Sequence, residues 1–440
     1  MNTSITPISP TPPIRVGLFG IGLDTYWAQF AGLKERLEGY QTEIASGLEI
    51  QGVEVCNAGL VDNPDKARAA GDWLREKNVE VIFLFISTYA LSHTVLPLVQ
   101  KVGVPVLVLN LQPVAAIDYE HFNALGDRGK MTGEWLDAVK VRARIRNSRF
   151  GILGHYYCGM LDVYSDVTNL ASVFGCHFEL LEIDQLRLLR EQVEGNSVST
   201  KRAAFASEFA VSADCGEDEL DRAAKTSCAL DRLVANNRLD GMAYYYEGTA
   251  GNESENIVTS VIPGNTLLTA HHVPVAGECE VKNVIAMKIM DLFGAGGSFS
   301  EFYAADFNDD VVLWGHDGPA HAGIAEGPVG LVPLPVYHGK PGKGLSIQMS
   351  VKHGPVTLLS VVEGRHGQVS LLCAEGECVP GPTLQIGNTN SRYRFNCSAR
   401  DFIDNWSKAG PAHHTAIGIG HLADRIAKLT TLLNIGCQRV

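Results

Sequence analysis

Residues 79–113 read VEVIFLFIS, TYALSHTVLPLVQKVG and VPVLVLNLQP in succession. The outer segments are short apolar runs rich in Val, Ile and Phe, the signature of strands buried on both faces. The middle segment, 88–103, has the length and spacing of a helix. A strand, a helix and a strand in that order predict a parallel crossover unit. The same alternation extends in both directions. Upstream lie IRVGLF (14–19), VEVCNAGLV (53–61) and a helix over 63–78 with a cap at Asn63 or Asp65. Downstream comes GEWLDAVKVRARIR (133–146), a helix.

The pattern then restarts. RFGILGH (149–155), a helix over 161–175, CHFELLEID (176–184), a polar helical region over 186–240 and LDGMAYYYEG (239–248) repeat the strand–helix alternation. After residue 300 the character changes. VVLWGHDGPAH (311–321), GLSIQMSVKHGPVTLLSVVEGRHGQVSLLCAEGECV (344–379) and TLQIGNTNSRYRF (383–395) are apolar runs separated by Gly-containing turns, the mark of an antiparallel, barrel-like region. Leu422, Ile426, Leu429 and Leu433 recur at helical spacing, and Asn434 with Gly436 closes that helix. The expected fold is α/β: two successive doubly wound, Rossmann-like parallel-sheet lobes, then an antiparallel β-barrel-like domain with a terminal helix. The expected boundaries are a disordered tail at 1–13, lobes at 14–148 and 149–294, and the β-rich domain at 295–440.

Bulk properties narrow the function. The 440 residues exceed one ordinary core. A net charge of −13 argues against nucleic acid and anionic membranes and suits a small neutral ligand or a cation. MNTSITPISPTPP (1–13) has neither a basic region nor an apolar core, so it is not a signal peptide, and no window is apolar enough to span a membrane. Ten cysteines with no CxxC pair predict reduced thiols rather than a disulfide framework or structural zinc. Together these predict a cytoplasmic protein. Gly20 and Gly22 begin a GxGxxG pattern, but Thr25 replaces its third glycine, leaving a tight strand-to-helix turn as the better reading. Asp24, Tyr26, Trp27 and Gln29 follow the first strand, where open α/β sheets place ligand contacts.

The chemistry concentrates in AGECEVKNVIAMKIMDLFGAGGSFSE (276–301) and beyond. Glu278 and Glu280 precede an apolar helix; on their own they read as first-turn glutamates stabilised by the helix dipole. Glu301 follows a glycine-rich loop entering a strand. His316 and Asp317 stand in WGHDG, and His413 and His414 stand as adjacent histidines in AGPAHHT. Carboxylates together with imidazoles form a hard donor set that suits Mn²⁺, Mg²⁺ or Co²⁺.

These segments resemble a known family. AGECEVKN, GGSFSEFY, LWGHDG and AGPAHHT resemble, in order, four site motifs of the L-arabinose and L-fucose isomerase superfamily. The resemblance marks the chain as a divergent member, since Leu125 stands where a substrate-contacting histidine is expected, and HDGPAH and GNTNSRYRF also depart from the family pattern. It implies a metal held by Glu278, Glu301, His316 and His414, most often Mn²⁺. Glu280, Asp317 and His413 would support that site or face substrate. The implied reaction is aldose–ketose isomerisation of a free pentose, deoxyhexose or modified sugar through an enediol, with Glu278 and Glu301 as the proton-transfer pair. Tyr26, Trp27, Gln29, Gln112, Asn388 and Arg392 are candidate walls for the sugar. The resemblance further implies a homo-oligomer, a trimer or hexamer, whose site a neighbouring subunit completes through residues 24–29. Alternatives are an epimerase or metal-dependent lyase on the same fold, or a non-catalytic sugar-binding protein. The two lobes do resemble periplasmic binding proteins and repressor sugar domains, but neither explains the β-rich region or the acid–histidine set.

Overall fold

The computed structural model describes residues 13–88, 90–111, 128–246, 251–334, 336–337, 340–341 and 343–440. The chain divides into two compact units, Met1–Ala143 and Arg144–Val440. The first contains a parallel sheet of β1 (Ile14–Ile21), β2 (Val53–Val61), β3 (Val81–Ile86) and β4 (Val106–Leu109) in the order β2-β1-β3-β4. Its core gathers Phe19, Val61, Ile82 and Leu84 against Leu74 and Leu98 from the flanking helices. The helix Pro64–Glu76 begins as its sequence predicts: Asn63 caps it, accepting from the Lys66 N–H at 3.0 Å, with proline at the first position.

The second unit begins with another parallel sheet, of β5 (Arg149–Gly154), β6 (His177–Leu181), β7 (Gly241–Tyr245) and β8 (Val275–Ala276), in the order β6-β5-β7-β8. Its largest sheet contains β9 (Gly296–Asp306), β10 (Val311–His316), β11 (Gly354–Glu363), β12 (Val369–Val379), β13 (Thr389–Phe395) and β14 (Thr415–Ile419). Those six strands pair antiparallel in the order β11-β14-β9-β10-β13-β12, and β12 pairs back with β11, closing a barrel. A short strand, β15 (Gly436–Arg439), adds to β12 in parallel. The fold is thus mixed α/β with parallel sheets and a closed six-stranded antiparallel barrel. Trp314, Tyr393, Val356, Leu358 and Leu372 fill its core together with Phe402 and Trp406 of the helix Ala399–Ala409.

The helix Val281–Leu292 lies between this unit's parallel sheet and its barrel. It is buried at every position from Val281 to Asp291, because it packs against β7 and β8 as well as β9, β11 and β14. Even its polar side chains, Lys282, Asn283, Lys288 and Asp291, are buried, and Lys288 pairs with Asp291 at 3.0 Å. Among the described residues, no helix is long and apolar enough to cross a membrane. All ten cysteines are free thiols.

Several expected elements are corrected. The helix predicted over 88–103 is a 3-10 turn, Ser92–Thr94, and then a helix confined to Leu96–Val102. Pro97 lacks an N–H and fits only the first helical turn. The helix predicted over 161–175 starts at Val167, where Asp166 caps it by accepting from Thr168 and Asn169. The strand predicted over 176–184 stops at Leu181, because a reciprocal Glu182–Gln185 capping box starts a helix at Ile183. The glycine-rich stretch before Glu301 is strand rather than loop. Gly297 has φ +113° and a Cβ there would lie 2.6 Å from the Met287 carbonyl oxygen, so glycine is what lets β9 run against the buried helix. Gly436 opens β15; Asn434, at φ +56°, is the left-handed cap. The helix Ala399–Ala409, begun by Ser398, has no counterpart in the sequence reading.

Candidate metal and acid–base site

Strand register assembles the site. Ser300 of β9 lies opposite Thr415 of β14, and Glu301 lies opposite Gly315 of β10. His414, one residue before Thr415, and His316, one residue after Gly315, therefore flank Glu301 from the two neighbouring strands. Glu278 arrives from the segment between β8 and the buried helix. Its backbone is unusual: Glu278 and Cys279 have φ +54° and +59°. Residues other than glycine rarely hold this conformation, and it costs on the order of 1–3 kcal/mol each unless the surroundings enforce it. Here Cys279 N–H donates to the Tyr244 carbonyl at 2.9 Å, and Tyr157 N–H donates to the Glu278 carbonyl at 3.3 Å, anchoring the turn to β7 and to the loop after β5.

The side chains converge. Nε2 of His316 is 3.8 Å from Glu278 and 4.0 Å from Glu301, and Nε2 of His414 is 3.5 Å from Glu278. His413 Nε2 is 2.8 Å from Glu301. Glu278, His316 and His414 offer ligand atoms within 4.8 Å of one another, and so do Glu301, His413 and His414. Phe299 packs against both inner histidines, with ring centroids 4.3 Å from His316 and 4.4 Å from His414.

Two atoms test whether this set fits a metal. Glu278 Oε2 and His414 Nε2 are buried and have no hydrogen-bond partner. A buried polar atom left unpaired costs free energy, so its retention calls for an explanation such as an ion. These atoms are 3.5 Å apart and are joined by a second carboxylate and a second imidazole, so the residues present fit a divalent cation.

The surrounding groups orient the ligands. Glu280 is fully buried and hydrogen-bonds His414 Nδ1, with Lys282 Nζ 3.9 Å from its other oxygen. It makes no side-chain cap on the helix it precedes, which overturns the first-turn reading. Asp317 stands 3.1 Å from His316 Nδ1, and the Gly318 N–H is also 3.1 Å from that nitrogen. The two contacts demand opposite tautomers. With Nε2 free to act as a ligand, Nδ1 carries the proton and donates to Asp317, completing a carboxylate–histidine arrangement at both inner histidines.

The electrostatics are polarised. Burial pushes the Glu278 carboxyl up to about 7, against the pull of His316 and His413. Burial likewise lifts Glu280 to about 8. Burial also acts to raise Glu301, but the His413 hydrogen bond and the charge of His316 outweigh it and lower the group from the ordinary carboxylate value. For His316, burial is outweighed by the Asp317 hydrogen bond and the nearby carboxylates, which lift it to about 9. The Glu301 hydrogen bond raises His413. Burial, then the charges of His316 and His413, drive His414 well below the ordinary histidine value.

The other sequence candidates divide. Asn388 reaches the site's edge, donating from Nδ2 to the Tyr303 hydroxyl at 3.0 Å. Tyr303 was missed by sequence reasoning; its position two residues after Glu301 on β9 is the available signal. Burial, then Asp317, Glu301 and Glu278, keep its hydroxyl protonated. Arg392 is corrected: its guanidinium is committed to Asp309 and to the Pro382 carbonyl, not to the cluster. Tyr26, Trp27 and Gln29 form the helix Thr25–Gln29 of the first unit, where the Trp27 indole donates to Asp62 at 2.9 Å. A Cβ on Gly22 would lie 2.8 Å from the Trp27 ring, so that glycine makes room for the indole. Gln112 and Leu125 lie outside the described residues. A further wall is Tyr244–Tyr246, which with Val258, Ile262 and Leu334 lines a cavity over Glu278, His316 and Asp317.

No protein-family model and no curated protein matches the chain. Among solved structures, a periplasmic solute-binding protein of an ABC transporter from Actinobacillus succinogenes, with bound D-allose, is 14% identical over 60% of this chain and 77% of its own, with a TM-score of 0.13. A periplasmic ribose ABC transporter from Conexibacter woesei is 13% identical over 57% of this chain and 78% of its own, at 0.15. The complex of the TorS sensor domain with TorT is 12% identical over 64% of this chain and 84% of its own, at 0.14. Nothing about the function of this chain follows from likenesses this low.

Proposed function

We propose that the protein is a metal-dependent aldose–ketose isomerase acting on a free sugar, in a divergent branch of the L-arabinose and L-fucose isomerase superfamily. The observation that carries this reading is the meeting of two ligand triads at His414, Glu278 with His316 and Glu301 with His413, with buried, unpartnered ligand atoms on Glu278 and His414. The resemblance of four motifs, in order, to that superfamily supports it independently. On this reading the two parallel sheets are doubly wound lobes preceding the barrel, and the assembly is a trimer or hexamer.

Glu278, Glu301, His316 and His414 would hold the cation, Mn²⁺ by preference, which when bound polarises the carbonyl and offsets negative charge on the substrate oxygens. The remaining chemistry belongs to the chain. Isomerisation removes a proton from the carbon beside the carbonyl and returns one to the former carbonyl carbon, passing through an enediol. Glu301 is suited to accept the proton, since His413 and His316 keep its carboxylate ionised. Glu278, the second carboxylate at the convergence, would complete the proton-transfer pair on this reading. The hydroxyl of Tyr303 accepts from Asn388, which leaves its own proton free to donate to a sugar oxygen. Tyr244–Tyr246 offer rings against which the carbon face of a sugar can lie, while Val258, Ile262 and Leu334 keep water from that side.

The test is turnover of a panel of free pentoses, hexoses and deoxyhexoses with added Mn²⁺, comparing the native protein with Glu301→Gln. Ketose formation by the native protein and its loss in the variant are expected. Undiminished turnover in Glu301→Gln, or no isomerisation of any sugar by protein that binds Mn²⁺, refutes the reading.

A further inference from the structure

The loop after β5 touches the site from outside it. Its 3-10 turn, Leu161–Val163, is anchored by the buried Val163, while Leu161 and Asp162 face solvent, the Asp162 side chain being 54% exposed. Asp162 Oδ2 accepts from the His413 backbone N–H at 2.6 Å, across 251 positions of sequence. His413 stands just outside β14, which begins at Thr415, so Asp162 supplies the acceptor that a neighbouring strand would. The Asp162 backbone carbonyl accepts from Lys282 Nζ, which also lies 3.9 Å from Asp162 Oδ2 and 3.9 Å from Glu280 Oε1. Glu280 in turn holds His414 Nδ1. The contacts close a ring. From Asp162 it runs one way to His413 and the other way through Lys282 and Glu280 to His414, the next residue in the chain. Lys282 and Glu280 are buried, and a buried charge is held firmly to its partners because losing one leaves it uncompensated. Asp162 is the member of the ring that lies at the surface, and His413 carries its hold onward to Glu301 at 2.8 Å.

We propose that Asp162 is a positioning residue of the site: its carboxylate fixes the His413 backbone, and Lys282 carries the same hold to Glu280, so that both ligand triads are set from a turn outside them. The inference rests on the reading of the cluster as a metal site. Asp162 touches no ligand atom; it acts through the histidine pair. Truncating its side chain removes the His413 acceptor but keeps the backbone carbonyl that Lys282 holds. A half-exposed side chain on a surface turn has little packing to lose, so the damage falls on the placement of His413 and His414 rather than on the fold. The amide oxygen of an asparagine at this position can accept the same N–H, which separates the hydrogen bond from the charge.

The experiment combines calorimetric titration of the full-length protein with Mn²⁺ and amide hydrogen exchange of the cation-free protein. Asp162→Ala should bind Mn²⁺ about tenfold more weakly, and Asp162→Asn should recover most of that loss, with little change in the denaturant midpoint of either. Combined with Glu280→Gln, Asp162→Ala should cost less than the product of the two single losses, because both act on His414 through one ring. The segment carrying His413 should exchange about fivefold faster in Asp162→Ala than in the native protein. Neither readout needs turnover, so protein that binds Mn²⁺ and isomerises no sugar refutes the proposed activity while the affinities still decide the role of Asp162. If the native protein binds no Mn²⁺, the metal reading falls, and the exchange rates decide whether Asp162 fixes His413. Native Mn²⁺ affinity in Asp162→Ala, an asparagine variant as weak as the alanine one, losses that multiply in the double variant, or unchanged exchange at His413 overturns the proposal. An Asp162→Ala protein that fails to fold shows a purely structural role and overturns it too.

Discussion

Lowering the pH should weaken cation binding by an amount the site itself sets. Without a cation, Glu278 holds its proton up to about 7 and His316 holds one up to about 9. Both must be released before Glu278 oxygen and His316 Nε2 can act as ligands, so the proton is a competitor. His414 is already neutral, and Glu301 already ionised, so neither adds to the count. Between pH 6 and pH 8, His316 contributes about two decades and Glu278 about one, an affinity gain of about a thousandfold, or about 4 kcal/mol. The slope is steeper below pH 7, where two protons leave, than above it, where one does. Titration calorimetry with Mn²⁺ at pH 6, 7 and 8, in buffers of different ionisation enthalpy, measures both the affinity and the protons released. An affinity that changes less than about threefold over that range, with no proton release, would refute this account of the ligands.

Three further outcomes follow from particular contacts. The cation-free protein should lose stability as pH rises from about 7 to 9, above the range in which His414, which holds its proton less tightly folded than unfolded, acts in the opposite sense. Glu278, Glu280 and His316 all hold protons more tightly folded than unfolded, so their contribution is full at acid pH and is lost as pH climbs through about 7, 8 and 9; chelated protein melted across that range would show it. Glu280→Gln should weaken Mn²⁺ binding about 10–100-fold while leaving the fold intact, because it alters the partner that orients His414 without changing its size. Unchanged calorimetric affinity in that variant would assign Glu280 a purely structural role. Gly297→Ala places a Cβ 2.6 Å from the Met287 carbonyl at φ +113° and should destabilise by more than about 1 kcal/mol in a denaturant titration.

What the sequence made legible, and what it hid, follows from the range of each signal. The helix at 64–76 was readable because its cap, its proline and its apolar stripe are all local. The strands of both parallel sheets were readable as apolar runs for the same reason. The barrel-like character of the β-rich region was readable from its short apolar runs and Gly-containing turns, such as the one joining β11 to β12, but the strand order was not, since the pairing of β11 with β14 joins residues about sixty positions apart. Arg392 was a candidate sugar contact as a polar side chain, but the acid that claims it, Asp309, stands 83 positions away. Tyr303 and the Tyr244–Tyr246 wall escaped notice because an aromatic in a strand reads as core until its neighbours are known.

The clearest case is the pair Glu278 and Glu280. Two residues apart in a strand they would point to the same face, and in a helix they would point roughly oppositely, into different surroundings. Neither geometry brings both carboxylates to one imidazole. The left-handed turn at Glu278 and Cys279 does: it brings Glu278 to His414 Nε2 at 3.5 Å and Glu280 to Nδ1 of the same ring. Neither glutamate nor cysteine favours that backbone, so nothing local in AGECEVKN announces it. Cost without local cause is the mark of strain held in place by the surrounding fold, and here the hydrogen bonds to Tyr244 and Tyr157 hold it. One carboxylate beside the ring's outer nitrogen and another orienting it from behind would convert His414 from a buried, poorly basic imidazole into a fixed ligand.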